Sequence, residues 1–203
     1  MKLFGTTTSP FTRRVRVVAL ELGVPFELVS TATPEGERQL RALTPLWKVP
    51  TAVLQEASGE RILWDSHALV AWLLARHGPG PFATPAGHDP WHESNLVYAI
   101  DGALDSAINA FYLEREGISR ERTPYLAKQL ERVTCALGWV ESQLQGESFS
   151  QPGRLGLAEL ALVTTLDWMV FRGRYPVAER PRLSAFLQAH ADRPSLRATY
   201  PAT

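Results

Sequence analysis

The spacing of apolar residues changes period several times between Lys2 and His77. Leu3 and Phe4 lie in a short run, Lys2–Gly5, that gives way to polar Thr6-Thr7-Thr8-Ser9. Pro10 opens a segment in which Val15, Val18, Ala19 and Leu22 recur at helical spacing, and Gly23 closes it. Phe26–Ser30 alternates as a strand does. Thr33–Leu43 is charged and begins with a proline, which predicts a short, exposed helix. Thr51–Leu54 and Arg61–Trp64 read as strands. The turn residues Ala57-Ser58-Gly59-Glu60 between them predict an antiparallel hairpin. Ser66–His77 returns to helical spacing, with Leu69, Val70, Leu73 and Leu74 facing inward. The predicted order is β-α-β-α-β-β-α.

Gly78-Pro79-Gly80-Pro81-Phe82-Ala83-Thr84-Pro85-Ala86-Gly87 is the densest Gly/Pro stretch in the chain and reads as a linker. Helical patterns follow it. Asp89-Pro90 has the form of an N-cap and first helical proline, opening a helix that runs to about Gly117. Thr123-Pro124 opens the next, whose apolar stripe is Leu126, Leu130, Val133, Leu137, Val140 and Leu144, with Gly146 at its end. Leu157–Phe171 is apolar on nearly every side and predicts a central buried helix. Arg182–His190 and Pro194–Thr199 predict two short ones. The expected division is a small sheet domain at 1–78, a linker at 79–88 and an all-helical domain at 89–203.

The charge balance narrows the function. Lys and Arg number 21, Asp and Glu also 21, so no net field favours nucleic acid or an anionic membrane, and neither partner is expected. Arg13, Arg14 and Arg16 cluster locally, but with Glu21 they read as a solvated helix face. The single cysteine, Cys135, rules out a disulfide within the chain and a two-cysteine redox motif. Its place inside a long helix predicts a buried, inert thiol. No apolar signal region opens the chain and no stretch approaches the ~20 residues of a membrane span, so a cytoplasmic protein is expected. His88 and His92 are four apart, as in some metal sites, but without a third ligand they read as a surface pair and no metal is expected.

Three short motifs carry candidate chemistry. Ser9 precedes Pro10, which puts its hydroxyl at a helix N-terminus. Unpaired N–H groups and the helix dipole favour an anion there, including a thiolate. Taken alone, the motif fits a plain N-cap better. In Thr44-Pro45-Leu46-Trp47-Lys48-Val49-Pro50-Thr51, Pro50 cannot donate to a strand ladder. Val49 before it is held extended, with backbone groups able to pair with a peptide-like ligand. A strand-initiating proline explains the motif equally well. Asp65-Ser66 ends a strand and opens a helix. Either residue can cap that helix, or the pair can hold a ligand's α-amino and α-carboxylate groups.

In this order and spacing the motifs resemble the glutathione S-transferase family, in particular bacterial, serine-type members with Ser-Pro-Phe. Thr6–Leu22 is similar to the family's first turn and helix, and Thr44–Pro50 to its Asn-Pro-x-Gly-Lys-Val-Pro segment. Asp65–Leu74 is similar to Glu/Asp-Ser-x-Ala-Ile-x-x-Tyr-Leu. Gly156–Leu162 resembles Ser/Thr-x-x-Asp-Ile-Ala, and Arg180–Tyr200 the usual C-terminal pattern.

The resemblance implies a thioredoxin-like N-terminal domain, an all-helical bundle as C-terminal domain, and a homodimer. It implies glutathione as co-substrate, with Ser9 donating a hydrogen bond to the sulfur and Thr8 or Thr12 as neighbouring hydroxyls that can take that role. Val49, beside Pro50, pairs with the cysteinyl part, Asp65 and Ser66 bind the γ-glutamyl end, and Lys48 approaches the glycyl carboxylate. Asp101 reaches a partner subunit's glutathione amine. A pocket for a small hydrophobic electrophile takes Phe11, Asn109 and Tyr112, and Phe11 also borders glutathione. Serine in place of cysteine favours conjugation or peroxide reduction over thiol–disulfide exchange. Three positions depart from the pattern: Trp47 stands where glycine is usual, Gly156 where Ser or Thr caps, and Glu159 where Asp reciprocates. These departures leave room for an alternative, a non-catalytic transferase-like protein that acts by binding.

Overall fold

A computed structural model describes residues 1–119, 121–151 and 153–202. The first half contains β1 (Lys2–Gly5), α1 (Pro10–Glu21), β2 (Glu27–Ser30), α2 (Pro34–Leu43), β3 (Thr51–Glu56), β4 (Gly59–Trp64) and α3 (Ser66–His77). The second contains α4 (Pro90–Arg115), α5 (Pro124–Gln143), α6 (Leu157–Arg172), α7 (Pro181–His190) and α8 (Pro194–Ala198). The architecture is therefore a thioredoxin-like β-α-β-α-β-β-α domain followed by helices. The four strands order β2-β1-β3-β4, with β1 parallel to β2 and antiparallel to β3, and β3 antiparallel to β4.

Local chemistry explains the boundaries. Helices α1, α2, α4 and α5 each start at a proline directly after Ser9, Thr33, Asp89 or Thr123. Proline at the first helical position loses no hydrogen bond, and the residue before it takes the extended geometry of a cap. The β3–β4 turn is tighter than the turn residues suggested. The strands pair out to Glu56 and Gly59, leaving only Ala57-Ser58 as the loop. Gln55 Nε2 donates to Glu60 Oε1 at 2.8 Å, and Arg61 pairs with Glu56 at 2.8 Å, so polar cross-strand pairs extend the ladder.

The chain divides into two compact units, Met1–Ala83 with Asp192–Thr203, and Thr84–Ala191. In the first, Leu3, Val15, Val18, Ala19, Leu54, Leu69 and Leu73 are fully buried between sheet and helices. In the second, α6 is buried without a break from Ala158 to Leu166, as its all-round apolar pattern required.

Two expectations are corrected. Arg13 and Arg14 are not a solvated face: they are 1% and 4% exposed, and Arg16 is half-buried. The tail covers α1. Arg13 Nε donates to Thr199 Oγ1 at 3.2 Å, and its Nη2 donates to the Leu196 carbonyl at 3.0 Å. Glu21 accepts both Arg193 Nε and Nη2, at 2.8 and 2.7 Å, and also the Ser195 hydroxyl. A buried guanidinium must be hydrogen-bonded, and the tail supplies the acceptors. This bonding is why residues from 192 onward pack with the sheet unit rather than with the helices that precede them. Cys135 is exposed, on the outer face of α5 opposite Leu126, Val133, Leu137 and Val140.

Candidate functional site

Ser9 follows the turn after β1 and has extended backbone, φ −76° and ψ 121°. Its Oγ accepts the Thr12 N–H at 3.2 Å, and its carbonyl accepts the Arg13 N–H at 3.0 Å. The hydroxyl oxygen thus caps α1 while its proton can still be donated outward, so capping and ligand binding are compatible in one group. Thr12 is fully buried. A Cβ placed on Gly5 would fall 2.5 Å from Thr12 Oγ1 and also meet Cγ2, so only glycine lets the first turn of α1 lie against β1. Thr12 is therefore a packing residue. Thr8 is half-buried, with its hydroxyl 3.3 Å from that of Thr6.

The loop before β3 is shaped by polar and aromatic contacts. The Leu46 N–H donates to Thr44 Oγ1 at 3.3 Å, and the Thr51 hydroxyl donates to the Lys48 carbonyl at 3.0 Å. Trp47 has φ 53°, so it keeps the left-handed geometry for which glycine is the usual residue. The Arg41 guanidinium lies 4.5 Å from its ring and offsets part of that strain. Lys48 is exposed, Val49 is half-buried, and the Val49–Pro50 bond is cis. Among the described residues, none takes up the N–H or C=O of Val49.

Strand register brings the three motifs to one end of the sheet. Phe4 pairs with Thr51, and Thr51 with Trp64. The end of β1, the start of β3 and the end of β4 therefore coincide, and the Asp65 N–H donates to the Pro50 carbonyl at 3.2 Å. Asp65 is the cap of α3: its Oδ1 accepts the His67 N–H at 2.8 Å, and Ser66, buried, is the first helical residue. Asp65 has φ 79°. Two non-glycine residues with positive φ, Trp47 and Asp65, thus flank Val49-Pro50. Strain of this kind, about 1–3 kcal/mol each, collects where a backbone must present groups to a ligand.

Arg13, Arg14 and Arg16 crowd α1, and Arg16 is held below its ordinary value by burial and by repulsion from Arg13. The Arg14 guanidinium lies 5.1 Å from the ring of half-buried Phe11. These arginines were missed as part of the site environment, because nothing local in the sequence marks a charged residue for burial.

Asp101, Asn109 and Tyr112 belong to the second unit. They share the exposed side of α4, away from buried Leu96, Ile100, Ala103, Leu104 and Ala107, with Asp101 half-buried. His88 pairs with Glu93 at 2.9 Å. No group of three or more His, Cys, Asp or Glu among the described residues is placed to hold a metal, and no helix there is long and apolar enough to cross a membrane.

The departures at α6 form one arrangement. Buried Glu159 accepts the Gly156 N–H and the Phe149 N–H, both at 3.0 Å. A Cβ on Gly156 would meet Arg154 Nη1 and lie 2.6 Å from its Cζ, so the guanidinium occupies the space of an ordinary cap side chain.

Residues 3–81 match the glutathione S-transferase N-terminal domain. The chain is 27% identical to the uncharacterized GST-like protein YibF of Escherichia coli K12, over 99% of this chain and 98% of YibF. A glutathione S-transferase structure from Methylobacillus flagellatus KT with GSH bound aligns at TM-score 0.80 and 28% identity, over 99% of each chain. A glutathione transferase family member from Pseudomonas fluorescens Pf-5 with bound glutathione aligns at 0.82 and 25%, over 100% of this chain and 99% of that one. Residues 3–81 thus carry the glutathione S-transferase N-terminal domain, and the whole chain shares its fold with these structures.

Proposed function

We propose that this protein is a glutathione transferase that activates the glutathione thiol for attack on a small hydrophobic electrophile or a peroxide. The observation that carries the reading is the meeting of Ser9, Val49-Pro50 and Asp65-Ser66 at one end of the sheet, beside a helix N-terminus. Ser9 donates its hydroxyl proton to the sulfur. A free thiol titrates near ~8.5, and a hydrogen bond plus the positive end of α1 bring the thiolate toward neutrality. The backbone of Val49 pairs with the cysteinyl part as a strand would. Asp65 takes the γ-glutamyl ammonium, Ser66 and the α3 N-terminus its carboxylate. Lys48 faces the glycyl end. Phe11 borders the electrophile, and Asp101 reaches the glutathione of the second subunit in a cytoplasmic homodimer.

The test is turnover of an aryl halide by wild type and Ser9→Ala, with retention on immobilised glutathione measured in parallel. A charge-assisted hydrogen bond is worth about 1.5–3 kcal/mol, so kcat falls about 10- to 100-fold while affinity stays within about threefold. Retention without turnover in the wild type would favour the binding protein. Unchanged kcat in Ser9→Ala moves the thiol contact to Thr8 or to the helix N–H groups.

A further inference from the structure

The tail that packs with the sheet unit is fastened at three points along α1 and its entry. The Thr7 hydroxyl donates to the Ala202 carbonyl at 2.9 Å. Arg13, one turn into α1, holds Thr199 and Leu196, and its guanidinium lies 5.6 Å from the Tyr200 ring. Glu21, at the far end of α1, holds Arg193 and Ser195. Two of these points bracket Ser9. Thr7 precedes it by two residues, and Arg13 follows by four, on the same helix face. The Arg13 backbone N–H closes the first turn on the Ser9 carbonyl at 3.0 Å. A chain end left untied frays. Here it is tied by a buried guanidinium and a two-point arginine–carboxylate pair.

From this we infer that the C-terminal segment 192–202 is a strap that sets the geometry of Ser9, with Arg13 as the positioning residue. The inference rests on the transferase reading only in what Ser9 then does. Thr7 fixes the chain entering the turn, and Arg13 fixes the turn leaving it. The hydroxyl of Ser9 thereby keeps one orientation, with its oxygen on the Thr12 N–H and its proton outward. The guanidinium of Arg13 is buried, and its hold on the tail depends on its shape. Lysine in its place would keep the charge and lose the planar fork that reaches Thr199 and Leu196 together.

The experiment compares wild type, Arg13→Lys and Thr7→Val by two readouts. The first is amide exchange at Thr12 and Arg13, against Leu162–Leu166 in α6 as internal reference. Exchange at the α1 turn rises about fivefold in both variants, while the reference is unmoved. The second is the ultraviolet titration of the glutathione thiolate on the protein. In Arg13→Lys it moves up by about one unit, with kcat/KM below it down about tenfold. In Thr7→Val, where one neutral hydrogen bond at an exposed residue is lost, kcat/KM falls about threefold. Unchanged exchange at Thr12 and Arg13 in either variant that folds overturns the strap. So does faster exchange with an unmoved thiolate titration. A wild type that leaves the thiol of glutathione at its free value defeats the transferase reading, and the exchange comparison still decides the strap. Thr7→Val keeps the test open if Arg13→Lys does not fold.

Discussion

Gly5 and Thr12 occupy one another's space, and their pairing sets how closely α1 approaches β1. With Thr12 Oγ1 2.5 Å from where a Cβ would stand, Gly5→Ala forces either the threonine or the helix to shift. Overpacking of this sort costs about 1–3 kcal/mol. Thr12→Ala removes the colliding atoms, so the double variant should recover most of what Gly5→Ala loses. Urea unfolding of the four proteins measures this directly, and additive losses would show that the two residues do not share a space. Trp47 poses a different problem on the same scale. Its indole tolerates φ 53° with Arg41 against the ring, at a position where the sequence puts tryptophan in place of the usual glycine.

Among the elements, the cap of α6 shows how substitutions that look damaging singly form one working unit. Restoring an ordinary cap with Gly156→Ser should not stabilise the protein, because the new Cβ meets the Arg154 guanidinium. In an Arg154→Ala background the same change should be less costly, because of the two side chains the new Cβ meets only Glu159 then remains. Thermal unfolding of the pair of pairs reads the difference, and an equal effect of Gly156→Ser in both backgrounds would mean that Arg154 is a bystander. The elements themselves were largely legible. Proline after Ser, Thr or Asp marked four helix starts, the Leu126–Val140 stripe marked the inner face of α5, and Ser9, Val49-Pro50 and Asp65 stood out because each ends or begins an element. Arg13 was misread as solvated because its cover lies some 180 residues further along the chain, and no local period carries that distance. Cys135 was misread for the opposite reason: its helix is buried on one side only, and the thiol lies on the other.

For the whole molecule, the junction of chain end and first helix should be sensitive to acid. Hydrogen bonding from Arg193 and, secondarily, Ser195 holds the Glu21 carboxyl below the usual range, against an opposing effect of burial. A depressed folded value means stabilisation that is complete above the unfolded value of about 4.3 and disappears as pH falls through the folded one. Wild type should therefore be more stable than Glu21→Gln at pH ~6, with the gap closing as pH falls from about 4.3 through the lower folded value. Urea midpoints across that range test it, and a gap that does not change with pH would show that the carboxylate is immaterial. The same junction has a consequence for the order in which the protein is made. The sheet unit is interrupted by Thr84–Ala191. At a ribosome adding about 5–20 residues per second, its first part waits roughly 5–20 s for the residues that complete it. The helical unit, though later in sequence, has all its residues first. During that interval Arg13 has neither Thr199 nor Leu196 to bond, so the first turn of α1 forms before its fastening exists.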